Sequence, residues 1–316
     1  MSESIPFLGA NDVEALLTPT AAVYALRHAL AEGFRPETDH ARIFEPLEHG
    51  EFLLMPAETA TSTGIKLLTI APDNPAQGLA RIQGLYVLFD SATLSPRALI
   101  DGPALTDIRT SAVSAAAIKD ALEHDAGPLD VVVYGAGPQA RAHVRTVTAV
   151  LDGTRPMGHV TSVVRSPSRV TPGADFDAVV AVSSPEAEAA TRSAGLILCT
   201  TTATTPLFDD KLVRADAVVV AVGSHSPDAR ELPGALLGRS DVIVEDSGAA
   251  LRECGDVIMA IGEGELVAED LIPMAELVRG DKRLLGGRPV VFKSAGMSWE
   301  DLVLAQAIAE AAERRG

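Results

Sequence analysis

The feature that most constrains this chain is the run Leu129-Asp130-Val131-Val132-Val133-Tyr134 passing directly into Gly135-Ala136-Gly137-Pro138-Gln139-Ala140. A short apolar run that ends at paired glycines and opens into the helical spacing of Arg141 to Val150 reads as a buried strand, a tight turn and a helix packed back on the strand. The first glycine permits the turn, the second lets backbone approach a pyrophosphate, and Ala140 is small enough to stand where helix and strand touch. The N–H groups at the start of the helix then face the phosphates. Gly135, Gly137, Pro138 and Gln139 are therefore expected beside a dinucleotide, with a plain structural turn as the alternative.

The same rhythm continues downstream. Strands are expected at Val160 to Val164, Ala178 to Val182, Leu196 to Cys199, Ala217 to Val222 and Val242 to Val244, with helical or looping segments between them. Apolar strands alternating with helices build a parallel sheet covered on both faces. The second strand ends at Arg165-Ser166-Pro167-Ser168-Arg169, where a site for NAD carries an acidic residue for the ribose 2′-hydroxyl. Two arginines and two hydroxyls suit a 2′-phosphate instead, so NADP(H) is favoured over NAD(H), with Arg165, Ser166 and Arg169 as its readers.

The region before this differs in pattern. Thr18 and Pro19 open a helix through Val23, Leu26 and Leu30 to Gly33, and strands are expected at Phe52 to Met55, Gly64 to Ile70 and Gly84 to Phe89. A further helix is expected from Thr110 to Leu122, and a last one from Ser298 to Arg314 that returns to the first region. The expected fold is thus α/β: a Rossmann-type nucleotide-binding domain, residues 114–297, inserted into an α+β substrate-binding domain made of residues 1–113 and 298–316.

Charge narrows the partners. A net charge of -17 repels a phosphate backbone, so nucleic acid is excluded. Cys199 and Cys254 stand far apart and outside any metal-ligand spacing, which implies neither a disulfide framework nor a metal site. Met1-Ser2-Glu3-Ser4-Ile5-Pro6 lacks a basic, apolar leader and no stretch is long enough to span a bilayer, so a cytoplasmic protein with no membrane partner is expected. Against this acidic background three cations stand out: Arg42 in Ala41-Arg42-Ile43-Phe44, Lys66 in Gly64-Ile65-Lys66-Leu67-Leu68, and Arg109 in Thr106-Asp107-Ile108-Arg109-Thr110. Converging on one cleft they would receive a small carboxylate, but spacing alone leaves each an ordinary surface charge. Lys293 lies in the apolar Val290-Val291-Phe292-Lys293-Ser294, where an amine needs a partner or must snorkel to water.

The sequence resembles the ornithine cyclodeaminase and mu-crystallin family over nearly its whole length. The resemblance rests on Met55-Pro56, Gly64-Ile65-Lys66, Asn74-Pro75 with Gly78-Leu79, Leu105 to Ala112, Gly135 to Ala140, Ala221-Val222-Gly223-Ser224, and Phe292 to Met297 before Glu300-Asp301. It implies a dimer-forming substrate domain in which Arg42, Lys66 and Arg109 hold an α-carboxylate, with Ser294 a further substrate contact. It implies cofactor contacts at Arg109, Thr110, Lys293 and Thr200-Thr201-Thr202, and at Val222 and Gly223 near the nicotinamide.

Departures from the family pattern choose the reaction. Where cyclodeaminases carry an aspartate two positions after the glycine of Ala221-Val222-Gly223, this chain has His225, and where they carry a glutamate suited to an ornithine amine it has Leu53. Without those carboxylates a cationic diamine is hard to bind and deprotonate. The expected activity is therefore reduction of a cyclic or linear α-imino acid, such as Δ1-pyrroline-2-carboxylate to proline. His225 or Lys66 would be the proton donor, and Leu53 would line a less polar distal pocket. Ornithine cyclodeamination with bound NAD, an amino-acid dehydrogenase and a non-enzymatic NADPH-binding protein are the alternatives.

Overall fold

A computed structural model describes residues 5–315; Met1 to Ser4, the start of the segment on which the expectation about a leader rests, lie outside the described residues. The chain divides into two compact units, Met1–Arg109 with Met297–Gly316, and Thr110–Gly296.

In the first unit the strands are β1 (Phe7–Leu8), β2 (Ile43–Leu47), β3 (Gly50–Glu58), β4 (Ser62–Ile70), β5 (Ile82–Asp90) and β6 (Pro96–Asp101). They form one sheet in the order β1-β6-β5-β4-β3-β2, antiparallel except for the parallel β1–β6 pair. Helix α1 (Ala10–Leu16) precedes α2 (Pro19–Ala31), which starts where Thr18 Oγ1 accepts the Ala21 N–H at 3.2 Å and Pro19 fills a position that needs no donor. The last helix, Ser298–Glu313, packs across β3, β4 and β5 and against α2. Its start is held by Asp39, whose Oδ2 accepts the Trp299 N–H at 2.9 Å. Its own Trp299, Leu302, Leu304 and Ile308 are wholly buried, and each such apolar side chain is worth about 1.5–3 kcal/mol. The returning helix thus supplies much of this unit's core.

In the second unit β7 (Leu129–Tyr134), β8 (Met157–Val164), β9 (Ala178–Ala181), β10 (Leu196–Cys199), β11 (Val218–Ala221), β12 (Asp241–Val244), β13 (Ile272–Pro273) and β14 (Val290–Lys293) form a sheet in the order β13-β12-β14-β11-β10-β7-β8-β9. Every pairing is parallel. After β9 the chain crosses back to lay β10 on the other side of β7, so the strand order reverses between β7 and β10. That reversal is where a doubly wound sheet opens a crevice at its carboxyl ends. The fold is α/β, a Rossmann-type unit joined to an α+β unit.

Three expectations shift. Helix α3 (Gly102–Leu122) begins eight residues before Thr110, because Pro103 sits in its first turn, where a missing N–H costs nothing. The helix runs straight through the unit boundary, which falls after Arg109 rather than after residue 113, with no loop to mark it. Strand β2 was not expected: all five of its residues are exposed and it contains Pro46, so it shows no alternation and serves as an edge.

Candidate functional site

The glycine turn lies at the carboxyl end of β7. Gly135 has φ +118°, and a Cβ there would come within 2.8 Å of Thr200 Oγ1, so both conformation and space demand glycine. Its N–H donates to Val163 O at 3.0 Å and its carbonyl accepts the Ser162 hydroxyl at 2.9 Å, which fastens the turn to β8. Helix α4 (Pro138–Leu151) follows, with Pro138 in its first turn and no side chain capping its start at Gly137. The Gln139 carbonyl meets His143 Nδ1 at 2.8 Å, and His143 Nε2 lies 3.0 Å from Ser114 Oγ, tying α4 to α3. Burial drops His143 to a pKa of about 4, so the ring is neutral at physiological pH. Thr110, 8% exposed, accepts the Ser114 hydroxyl on its carbonyl at 2.9 Å.

A cleft of about 760 Å³ opens here, and it gathers Gly135, Gly137, Arg165, Ser166, Arg169 and Thr200-Thr201-Thr202. The bare glycine backbone, the uncapped helix start and the arginine rim together fit the pyrophosphate and ribose ends of a dinucleotide. Val222, half-buried, and Gly223 follow β11 beside the Thr201 loop, and His225 is exposed on the same segment.

Two of the expected contact residues lie deep inside the second unit. Lys293 is 0% exposed and Ser294 2%. The Lys293 ammonium donates to the carbonyls of Ser224 at 2.5 Å, Ser294 at 2.9 Å and Ala221 at 3.3 Å, and lies 3.5 Å from Asp256 Oδ2. The Ser294 hydroxyl donates to Glu245 Oε1 at 2.6 Å. The Lys293 ammonium braces the loop after β11, and the Ser294 hydroxyl ties the end of β14 to the residue that follows β12.

In the first unit, β3, β4 and β5 present Leu53, Met55, Lys66, Leu68 and Tyr86 on one buried face, with Met55, Lys66 and Tyr86 opposite one another in register. Lys66 is 1% exposed. Its Nζ donates to Asp301 Oδ2 at 2.7 Å, while Arg109 Nη1 meets Glu300 Oε2 at 3.1 Å and Arg109 Nε lies 3.6 Å from Asp301 Oδ1. The structure therefore brings Lys66 and Arg109 together over two buried carboxylates. Burial and the neighbouring Arg109 charge lower Lys66 to about 8, against the pull of Asp301. Burial and the nearby carboxylates Asp301 and Asp39 push the Tyr86 hydroxyl well above its usual value. Gly64 is the residue that makes room for Tyr86, since a Cβ there would sit 2.3 Å from the Tyr86 hydroxyl. Arg42 is half-buried just before β2, and Leu53 packs with Met55, Leu68 and Ile70.

Four buried acids escaped the sequence reading: Glu300, Asp301, Glu231 and Asp256, all 0% exposed. Glu300 and Asp301 read as first-turn acids of an ordinary helix, which its dipole favours. The signals available were their place in the family pattern after Met297 and their position beside Trp299 and Leu302 at the start of an apolar helix. Among the described residues, no helix is long and apolar enough to cross a membrane, and no group of three or more His, Cys, Asp or Glu side chains is arranged to hold a metal.

Comparison with known proteins agrees with this geometry. The model of the ornithine cyclodeaminase/mu-crystallin family matches residues 7–316. A Δ1-pyrroline-2-carboxylate reductase of Bacillus cereus is 33% identical over 275 residues, 85% of this chain and 84% of the relative. The ketimine reductase mu-crystallin of Mus musculus is 30% identical over 323 residues, 98% of this chain and 97% of the relative. The structure of the Thermococcus litoralis Δ1-pyrroline-2-carboxylate reductase, solved with NADH and L-proline, superposes with a TM-score of 0.84 at 25% identity, covering 99% of this chain and 98% of that one. A match that spans both units, and takes in the glycine turn and the Lys66 strand alike, establishes kinship: this chain belongs to the ornithine cyclodeaminase/mu-crystallin family.

Proposed function

We propose that this chain is an NAD(P)H-dependent reductase of small α-imino acids, with Δ1-pyrroline-2-carboxylate as model substrate and L-proline as product. One observation carries the choice of substrate: Leu53 lies in an apolar cluster with Met55 and Leu68 on the same sheet face as Lys66. A pyrroline ring suits that apolar cluster, whereas the side-chain ammonium of ornithine would meet Leu53 where cyclodeaminases carry a glutamate, Asp301 and Glu300 being already paired with Lys66 and Arg109.

In this reading Arg42, Lys66 and Arg109 orient the carboxylate. Lys66 also holds the proton destined for the imine nitrogen, with exposed His225 as the other donor candidate. Gly135, Gly137, Pro138 and Gln139 would hold the dinucleotide, which when bound would supply hydride to the imine carbon. The chain's own contribution is placement and charge, which account for most of what such sites do. Arg165, Ser166 and Arg169 on the cleft rim support a preference for the 2′-phosphate of NADP(H) over NAD(H).

The proposed unit of action is a homodimer in the cytoplasm, where free Cys199 and Cys254 stay reduced. A second copy would cover the sheet face turned away from Lys66, where Ile43, Leu54, Leu67 and Leu85 form one apolar row across four strands. Ile43 is 50% exposed and Leu67 36%.

The deciding experiment offers purified protein NADPH or NADH with pyrroline-2-carboxylate, its six-membered homologue, and pyruvate plus ammonia. Imine-dependent cofactor oxidation, faster with NADPH, is the expected result. Ammonia from ornithine without net cofactor turnover would replace the reading with cyclodeamination, and tight NADPH binding with no turnover would replace it with ligand storage. Replacing Arg165 and Arg169 together with alanine should lower NADPH affinity about 10- to 100-fold and leave NADH nearly unchanged.

A further inference from the structure

Glu231 is a charged side chain with no exposure to solvent, placed where two strand-end loops meet. Its Oε1 accepts the Thr201 N–H at 2.8 Å and the Thr201 hydroxyl at 2.7 Å, and its Oε2 accepts the Gly223 N–H at 2.8 Å. Thr201 belongs to the loop after β10 and Gly223 to the loop after β11, and those strands are neighbours in the sheet. A Cβ on Gly223 would come within 1.8 Å of the Thr201 carbonyl oxygen, so the two loops are already in contact and the carboxylate bridges them.

A second tier holds the bridge in place. The N–H groups of Glu231 and Leu232 both donate to Asp256 Oδ1 at 2.8 Å, and Asp256 Oδ2 faces the Lys293 ammonium at 3.5 Å. That ammonium donates to the carbonyls of Ala221 and Ser224, which flank Gly223. Burying a carboxylate is costly unless its lone pairs are filled. Burial raises the Glu231 pKa while Lys293, Thr201 and Gly223 pull against it. Such an arrangement spends a charge to define one spacing.

We propose that Glu231 is a positioning residue that fixes the spacing of the loops after β10 and β11, and with it the seat of the nicotinamide half of the dinucleotide, while Arg165, Ser166 and Arg169 hold the adenine half. This rests on reading the cleft as an NAD(P) site. It makes Glu231 a determinant of how the nicotinamide half is seated and not of how the adenine half is held.

Glu231→Gln in the full chain tests it. A glutamine amide offers one acceptor oxygen, so it serves either Thr201 or Gly223 and turns an N–H donor toward the other. Calorimetric titration should show NADPH binding weakened about tenfold and binding of 2′,5′-ADP, the adenine-half fragment, unchanged within twofold. kcat for imine reduction should fall while the imine KM holds. Equal weakening of both ligands, or of neither, would overturn the proposal, because a merely structural carboxylate gives no split between the two halves. Thr201→Val, which keeps the charge and loses one donor, should show a smaller split in the same direction; if Glu231→Gln fails to fold, absence of that split overturns the proposal. Wild-type protein that binds NADPH and the fragment yet reduces no imine would sink the reductase reading and leave this test intact, whereas wild type that binds neither would overturn both.

Discussion

Lys66 and Lys293 are buried alike, 1% and 0% exposed, one in each unit, and their surroundings treat the proton in opposite ways. Beside Lys66 stands another cation, Arg109, and burial together with that charge brings its pKa down to about 8 in spite of Asp301. Around Lys293 burial also works against the charge, but Asp256, Glu231 and Glu245 outweigh it and hold the pKa above the usual 10.5. Burial is common to both, so the neighbouring charges decide. A lysine near 8 can give up and regain a proton close to neutral pH, while one held above 10.5 is a permanent cation. The first is the one to which the proposed reaction assigns a proton, and the second holds the loop after β11.

The same shifts have opposite signs in stability. Lys66 has a folded pKa below its unfolded value, so its charged form costs the fold roughly 3 kcal/mol below pH 8, a cost relieved as pH rises from 8 to 10.5. Lys293 is raised, so it contributes stability that is fully present below about 10.5 and lost as pH climbs through its folded value. Lys66→Met should therefore be the most damaging change to the proposed reaction, lowering kcat/KM for the imine by about 10³-fold; because Arg109 stays beside Asp301 and the cost of charging Lys66 is removed, its melting temperature should fall less than that of Lys293→Met. Equal activity in that variant would end the contrast at once. Lys293→Met leaves Asp256 and Glu231 buried without their cation, at about 3–5 kcal/mol, and should melt roughly 10 °C lower. A wild-type melt for Lys293→Met would mean that the network tolerates the loss and that the two lysines differ less than their neighbours imply.

What the sequence made legible follows the same divide. The glycine turn could be read because its requirements are local: a strand, a positive φ at Gly135 and a small Ala140 all fall within a dozen residues. Lys66 drew notice because an amine inside Gly64 to Leu68 conflicts with its apolar neighbours. Its partner Asp301 lies 235 positions away and looked like any acid at a helix start. Glu231 was less visible still, ending the polar stretch Ser226-Pro227-Asp228-Ala229-Arg230, which resembles a solvated loop until Asp256 and Lys293 close over it. The residues themselves singled out the cations and the family resemblance supplied their role, whereas the pairing with the carboxylates that tune them comes only from three-dimensional packing. For Lys293 and Ser294 the resemblance pointed to ligand contacts, and packing adds the internal bonds that hold both side chains in place.

The finest test of the contrast asks whether Lys66 is the group whose proton the proposed reaction consumes. With a pKa of about 8, the ammonium is mostly present at pH 7, so kcat/KM should be flat below that region and fall about tenfold per pH unit well above it. Lys66 is faced by Asp301 and Glu300 from the C-terminal helix, Arg109 from α3 and Tyr86 from β5, and Asp301 is the carboxylate in contact with it. Asp301→Asn keeps the shape and removes the charge that sustains the ammonium, leaving burial and Arg109 unopposed except by Glu300. The falling limb should then move to lower pH by about one unit, a roughly tenfold loss at pH 8 with little change at pH 6. The corresponding change at the braced lysine, Asp256→Asn, should move stability and leave the limb where it is. If instead Asp301→Asn leaves the limb unmoved and His225→Asn shifts it, the proton comes from His225 and Lys66 is only a carboxylate anchor.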